Sequence, residues 1–258
     1  FKEFDDYLLS SFGFPKSFRW QNYAEVFDVF KITLKSKNGG RATYGILAMA
    51  GSSLLYTTGS AFFHVLLISQ CAYVLSSFKF KGRNFIYNLG IIVMIVPIVG
   101  STPAMMILRR QVGIYNNMAM LILTSQSTAF SGLHFLLLYA AFSRVSHTYR
   151  EAVYIDGGGN YIAYFKVVLP MVIPSMVAVF VLVFLASWTD YNTYVMWLPS
   201  YPSIGYGVWL FQESATKQGI SMPVVLATFI VVIVPTVALY LGTQKILMSK
   251  FTVGGLKG

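Results

Sequence analysis

Few residues in this chain have the types and spacing that catalysis or metal binding requires. The histidines that lie within apolar stretches, His64 and His134, have no acidic neighbours at the spacing of metal ligands. The sequence contains no G-x-x-x-x-G-K-[ST] loop, no H-E-x-x-H pair and no nucleophile elbow. We therefore expect no catalytic residue, no metal site and no cofactor in this chain.

The chemistry that remains is neutral hydrogen bonding. The most polar stretch within the apolar runs is Thr124, Ser125, Gln126, Ser127 and Thr128. The spans contain no ionised pairs, and neutral donors and acceptors suit an uncharged polyol better than an ion. We predict a substrate path along this stretch. Hydrogen bonding between helices is the alternative explanation for such residues.

Membrane-spanning helices must position these residues. The chain has 258 residues, of which 56% are hydrophobic and 11% are charged, and this leaves too little polar surface for a soluble protein of this size. A hydrocarbon core of roughly 30 Å needs about 20 apolar residues per helix. Five spans fit, with a lead-in helix before the first: 52–77, 86–108, 118–142, 167–188 and 224–244. The predicted fold class is an all-α polytopic transmembrane bundle.

The formal net charge of +10 comes from cations between the apolar runs, which is the pattern of membrane-edge charges and not of a nucleic-acid-binding face. Cytoplasmic connections are enriched in Lys and Arg. One set of connections carries Lys79, Lys81, Arg83, Arg144, Arg150, Lys166, Lys245, Lys250 and Lys257. The N-terminal stretch carries Lys31, Lys35, Lys37 and Arg41, which we discount because longer extramembrane segments translocate largely regardless of charge. The alternate set carries Arg109, Arg110 and Lys217.

This bias predicts a cytoplasmic C-terminus, an extracytoplasmic segment over 1–43 and a membrane domain over 44–258. With five spans, residue 1 then lies outside the cell membrane, although the chain opens with no signal sequence. We therefore expect a sixth span to precede Phe1 in the complete protein.

The cytoplasmic connection at 143–166 predicts an elbow made of a helix, a turn and a second helix. Residues 149–155 can form the first helix, and 156–159 permit positive φ and a sharp reversal. Asn160 can cap the second helix, which runs over 161–168. Its apolar residues recur on one face: Ile162, Phe165 and Leu169. Such an elbow is suited to a groove on a partner protein.

The elbow resembles the EAA loop of ABC importer permeases. That motif reads E-A-A, three residues, G, nine residues, I, one residue, L-P. The same spacing is present here in Glu151-Ala152-Val153, Gly157 and Val167-Val168-Leu169-Pro170. Two positions differ, since Val153 stands for the second alanine and Val167 for isoleucine. The longer stretches EAVYIDGGG and KVVLPMVIP are similar to the carbohydrate branch of the family, and within it to the maltose-permease type.

This resemblance implies a type I ABC importer permease fold in a bacterial cytoplasmic membrane, and ATP-driven import of a sugar or oligosaccharide. It also implies the partners: ATPase subunits that bind ATP and Mg, a second homologous permease, an extracellular sugar-binding protein and membrane lipid. The chain itself is expected to have no enzymatic activity. The residues expected to couple to the ATPase are Glu151, Ala152, Val153, Asp156, Gly157, Leu169 and Pro170.

The segment from Asp190 to Pro223 is dense in Tyr and Trp. Such residues form an interfacial belt in many membrane proteins. The resemblance implies a second explanation, a loop that reaches into the external sugar-binding protein, because aromatic faces pack on sugar rings. The candidate contacts are Tyr191, Tyr194, Trp197 and Tyr201.

Two other functions are compatible with a polytopic helical protein. An ABC permease for a charged solute would favour ionised residues within the spans, and the sequence has none there. A secondary transporter or channel would show charged midplane relays or inverted repeats of broken helices, and neither pattern is visible.

Overall fold

The computed structural model describes residues 1–37, 39–96, 100–124, 129–215, 217 and 219–251. The first half of the chain contains α1 (Phe4–Leu9), α2 (Gln21–Val29), β1 (Ile32–Lys35), β2 (Arg41–Tyr44), α3 (Ile46–Ser77), α4 (Arg83–Ile95), α5 (Thr102–Gln111) and α6 (Met118–Thr124). The second half contains α7 (Leu133–Ser143), α8 (Thr148–Ile155), α9 (Asn160–Ile162), a π-helical turn (Ala163–Val168), α10 (Leu169–Trp188), α11 (Asn192–Trp197), α12 (Ile204–Ala215) and α13 (Met222–Phe251).

Among the described residues, three helices are long and apolar enough to cross a membrane: Ile46–Ser77, Asn160–Trp188 and Met222–Gln244. They confirm the predicted first, fourth and fifth spans. The first helix has 32 residues and begins at Ile46, so the expected lead-in is the start of the same helix and not a separate element.

In their described parts, the predicted second and third spans each contain two shorter helices. The span at 86–108 comprises α4 and α5, and the span at 118–142 comprises α6 and α7. Before α5 and α7, Gly100 and Gly132 adopt φ values of +82° and +91°. That conformation is incompatible with a continuous right-handed helix, so apolar length alone could not reveal the breaks.

The chain folds into two compact units. The first comprises Phe1–Thr57, Arg109–Met118 and Leu185–Gly242, and the second comprises Thr58–Leu108, Ala119–Phe184 and Thr243–Gly258. The boundaries of these units differ from the predicted boundary at residue 43. That prediction separates an extracytoplasmic segment from a membrane domain, and it stays a prediction.

The first unit contains an antiparallel hairpin that the sequence analysis did not predict. Its register runs from Ile32 opposite Tyr44 to Lys35 opposite Arg41. Alternate residues of β1 are buried, as expected for a strand with one face on a core. Beneath the hairpin, the rings of Phe30 and Phe211 pack edge to face with 5.3 Å between centroids.

The second unit is built around the C-terminal part of α3. Buried residues from α3, α7 and α10 form one apolar cluster, with Ile68, Leu138 and Val172 each no more than 2% exposed. This cluster supports the segment from Thr148 to Val168, where the predicted elbow lies.

Candidate functional site

The elbow contains the predicted reversal, and its geometry depends on two glycines. Gly157 has φ +78° and its N–H donates to the Tyr154 carbonyl over 3.1 Å, while the Gly158 N–H donates to the Val153 carbonyl over 2.8 Å. These two bonds are those of a Schellman motif, which satisfies the last carbonyls of α8. A Cβ added at Gly158 would lie 2.5 Å from Val153 Cγ1, so side chains are excluded there.

Asn160 has a different role from the predicted cap. The residue at the N-cap position is Gly159, and the structure gives no side-chain hydrogen bond to this helix start. Instead, Asn160 Oδ1 accepts a hydrogen bond of 2.5 Å from the Tyr154 hydroxyl. The side chain therefore ties the two arms of the elbow together.

The second arm continues into a membrane span and does not end near Pro170. The helix runs from Asn160 to Trp188, and Ala163–Val168 forms a π-helical turn within it. Pro170 cannot donate to the Lys166 carbonyl, and in a regular helix its ring crowds that carbonyl. The wider turn just before Pro170 lets the helix pass this residue without breaking.

The predicted coupling residues lie on the elbow and at the start of α10, and most of them are exposed. Val153 and Leu169 are half-buried, whereas the remaining five are exposed: Glu151, Ala152, Asp156, Gly157 and Pro170. Beside them lie three large apolar side chains, Ile155, Tyr161 and Phe165, which are 86%, 82% and 57% exposed. We call these three side chains the apolar rim. Exposed apolar side chains grouped in this way are typical of an interaction surface.

An aromatic cluster fixes the elbow to the second unit. The Tyr164 ring lies 4.5 Å from the Tyr73 ring of α3, which in turn contacts Phe78 and Phe142 at 5.5 and 5.7 Å between centroids. The Arg150 guanidinium lies 5.3 Å from the centroid of Phe78. The sequence does not reveal this cluster, because its residues come from distant parts of the chain and no motif links them.

Most of the predicted substrate path, Ser125 to Thr128, lies outside the described residues. Thr124 is described, and its exposed hydroxyl donates to the Met120 carbonyl over 2.6 Å. Elsewhere in the spans, the ring nitrogens of His64 and His134 share a hydrogen bond of 3.0 Å. That contact joins α3 to α7, which agrees with the alternative of hydrogen bonding between helices.

The four candidate aromatic contacts occupy different environments. Tyr191 is 40% exposed, whereas Tyr194 is 1% exposed and packs edge to face on Tyr56 with 5.5 Å between centroids. Burial raises the pKa of the Tyr194 phenol, and Tyr56 and Asp190 act in the same direction. Tyr194 is thus a neutral internal support and has no surface to offer a partner.

Trp197 and Tyr201 are half-buried and each lies beneath a cation. The Arg109 guanidinium is 4.1 Å from the Trp197 ring centroid, and Lys37 Nζ is 5.1 Å from that of Tyr201. Such cation–π contacts stabilise the rings on the surface.

Asn116 holds this aromatic segment in place. It adopts φ +54°, and its N–H donates to the Trp197 carbonyl over 2.8 Å. Its side-chain amide donates to Ser200 Oγ over 2.9 Å and accepts from the Ser200 N–H over 3.2 Å. Asparagine tolerates the left-handed conformation better than most residues. It therefore adopts the backbone conformation needed here and also supplies the side-chain hydrogen bonds to Ser200.

We expect Asn116→Gly to loosen residues 197–201 selectively. Glycine keeps the left-handed backbone but removes two side-chain hydrogen bonds, together worth about 2 kcal/mol. Amide exchange in a peptide covering Ser200 should therefore accelerate roughly 30-fold. Hydrogen-exchange mass spectrometry measures this, with the β1–β2 peptide as the internal control. Unchanged exchange at Ser200 would show that the segment does not depend on Asn116.

The long apolar helices and the exposed, glycine-turned elbow at the start of one of them are those of a helical membrane protein. Residues 64–247, well over half of the chain, match the family described as the binding-protein-dependent transport system inner membrane component, and the chain belongs to that family. It is therefore a membrane component of a transport system.

Relatives whose transport systems are named match three quarters or more of the chain. It is 27% identical to the diacetylchitobiose uptake system permease protein NgcG of Streptomyces coelicolor, over 98% of this chain and 80% of that protein. It is 29% identical to the arabinooligosaccharides transport system permease protein AraQ of Halalkalibacterium halodurans, over 75% of this chain and 68% of that one. It is 26% identical to the maltose/maltodextrin transport system permease protein MalG of Yersinia pestis, over 75% and 65%.

Among solved structures, the chain is similar to a crystal structure of a bacterial ABC transporter involved in the import of the acidic polysaccharide alginate. The TM-score is 0.68 with 19% sequence identity, over 90% of this chain and 80% of that chain. The similarity shows the fold, and it agrees with the predicted class of ABC importer permease.

Proposed function

We propose that this chain is the permease subunit of an ATP-driven importer of sugars or oligosaccharides, which forms the translocation pathway with a second permease. Sugar-transport permeases among its relatives support this substrate class. The observation that carries the proposal is the apolar rim on an elbow whose second arm is the start of the membrane helix Asn160–Trp188.

The rim suits the surface of a separate ATPase subunit, which would bind ATP and Mg. Aromatic and aliphatic anchors such as Tyr161 and Ile155 dominate protein interfaces once they enter a pocket. Glu151 and Asp156, both exposed beside the rim, can pair with basic residues at its edge. Ala152 offers little bulk, so it allows close approach of α8.

Movement of the ATPase subunits would reach the membrane through covalently continuous structure. A force on Tyr161 or Phe165 acts on the N-terminal arm of a 29-residue helix, and the Tyr164–Tyr73 contact transfers it to α3. Packed helices move as rigid bodies between discrete arrangements. We place the elbow and the C-terminus in the cytoplasm, because the cations of their connections follow the positive-inside rule.

On the other side of the membrane, we propose that Tyr191, Trp197 and Tyr201 contact an external sugar-binding protein. Tyr194 is omitted from this surface because it is buried. Asn116 positions the segment by its hydrogen bonds to Trp197 and Ser200.

Purification from native membranes followed by uptake measurements tests the proposal. We expect the chain to recover an ATPase subunit, a second permease and an extracellular binding protein, identified by mass spectrometry. Reconstituted in vesicles, this complex should accumulate at least one sugar from a panel of diacetylchitobiose, arabinotriose and maltose, and only with ATP. Recovery of no ATPase would reject the importer, whereas ATP-dependent uptake of ions or amino acids alone would reject the sugar.

A further inference from the structure

A cavity of about 540 Å³ opens in the first unit between the hairpin, α3 and the aromatic segment. The hairpin supplies Lys37 and Tyr44, α3 supplies Gly51 and Ser52, and the aromatic segment supplies Tyr201. Small-molecule sites in proteins occupy roughly 300–1,000 Å³, so the cavity has the size of a ligand site.

The lining of this cavity combines hydroxyl groups with one cation, Lys37. Ser36 and Ser200 contribute aliphatic hydroxyls, Tyr44 and Tyr201 contribute phenols, and none of the described residues that line it is acidic. Hydroxyl groups both donate and accept hydrogen bonds, while phenol rings offer apolar faces to the carbon skeleton of a pyranose. A metal cation finds no carboxylate among these described lining residues.

The cavity walls are held in place without filling the space. Ser200 is fixed by its two hydrogen bonds to Asn116, and Tyr201 is covered on one side by Lys37. A Cβ built on Gly51 meets no heavy atom within 4 Å, so this helical glycine leaves room that most residues would take. Preformed walls reduce the ordering that a ligand must impose.

We propose that this cavity is an outer sugar-binding site, which holds one or two sugar units of the substrate after release from the binding protein. The inference rests on the proposed function and adds a binding site to it. Tyr44 and Tyr201 pack on the sugar ring, the Ser36 and Ser200 hydroxyls pair with its hydroxyls, and Lys37 at the edge of the cavity is a further donor.

Protection of an introduced thiol locates the site directly. Gly51→Cys is made in a Cys71→Ser background, and the purified complex without binding protein reacts with a water-soluble cationic methanethiosulfonate. At ten times its Kd, the transported panel sugar should slow labelling of Gly51→Cys about tenfold. Gly40→Cys is the matched control, because Gly40 also has open space but does not line the cavity; its labelling should not change.

A second variant measures the consequence for transport. Gly51→Leu fills the cavity with a good helix former, so the half-saturating sugar concentration for uptake should rise at least about tenfold, the effect of losing 1.4 kcal/mol of binding. Docking of the binding protein to this variant should equal that of the wild type.

The outcomes separate this site from the proposed function. Labelling of Gly51→Cys that no panel sugar slows, in a complex that still imports one of them, overturns the site and leaves the importer intact. Protection by the binding protein alone, with sugar ineffective, assigns the cavity to protein contact and equally overturns it. Absence of any sugar uptake by the wild type counts against the proposed function itself.

Discussion

Replacing Gly157 by valine should reduce recovery of the ATPase subunit at least about tenfold, because the backbone at this position is left-handed. The φ value of +78° costs roughly 1–2 kcal/mol for an L-residue and more for a β-branched one. Valine will therefore shift the turn to another conformation, lose the bonds to Tyr154 and Val153, and displace Ile155 from Tyr161. Co-purification from native membranes, with wild type in parallel, measures the loss.

Gly159→Val is the matched control within the same turn. Gly159 has φ −93° and ψ 178°, which is extended backbone, and a Cβ there meets no heavy atom within 4 Å. Recovery of the ATPase should therefore remain within about twofold of wild type, a difference of less than 0.5 kcal/mol. Equal loss at the two glycines would mean that the loop sequence matters and that the left-handed turn does not.

Tyr164→Ala should separate docking of the ATPase from transport. The Tyr164 ring faces Tyr73 at 4.5 Å and lies outside the apolar rim. Its removal costs about 2 kcal/mol of packing between the elbow and α3. The ATPase should still co-purify, but ATP-dependent sugar uptake should fall at least about tenfold, because motion of the elbow no longer reaches α3.

Tyr161→Ala, three residues away, should weaken docking of the ATPase, which Tyr164→Ala should leave intact. Tyr161 is 82% exposed and belongs to the rim, so its truncation should weaken ATPase recovery and leave the thermal stability of the permease unchanged. Tyr164→Phe keeps the ring and should restore uptake. If Tyr164→Ala and Tyr161→Ala lose docking and uptake in parallel, the aromatic cluster has no separate transmitting role.

The fold class, a bundle of membrane-spanning helices, was predictable from the composition and from the length of the apolar stretches. Three of the five predicted spans are long helices in the described part of the chain. A helix that is apolar on all sides must be buried, in lipid or in a large protein core, and this chain has too little polar surface to form such a core in water. The predictions of continuous spans at 86–108 and 118–142 missed the breaks within them. Breaks near Gly100 and Gly132 depend on positive φ, and a glycine in a sequence permits that conformation without requiring it.

The hairpin at Ile32–Tyr44 was missed for a related reason. Two strands of four residues give too short an alternation to stand out beside long apolar runs. A hairpin of this size is marginal alone, and here it is stabilised by burial of Ile32 and Leu34, each 4% exposed. This burial depends on packing against distant parts of the chain, so the local sequence does not reveal it.

The sequence by itself determined the elbow, since its function depends on spacing along the chain: an acid and alanine on one helix, a left-handed glycine six residues after the acid, and Leu169-Pro170 at the start of a span. Only the tertiary structure decided what supports these residues. Tyr164 meets Tyr73, Asn116 meets Ser200 and Tyr194 is buried against Tyr56, and each of these pairs is at least 84 positions apart in the chain. Such contacts arise when helices pack, and packing depends on the shapes of all neighbouring side chains together.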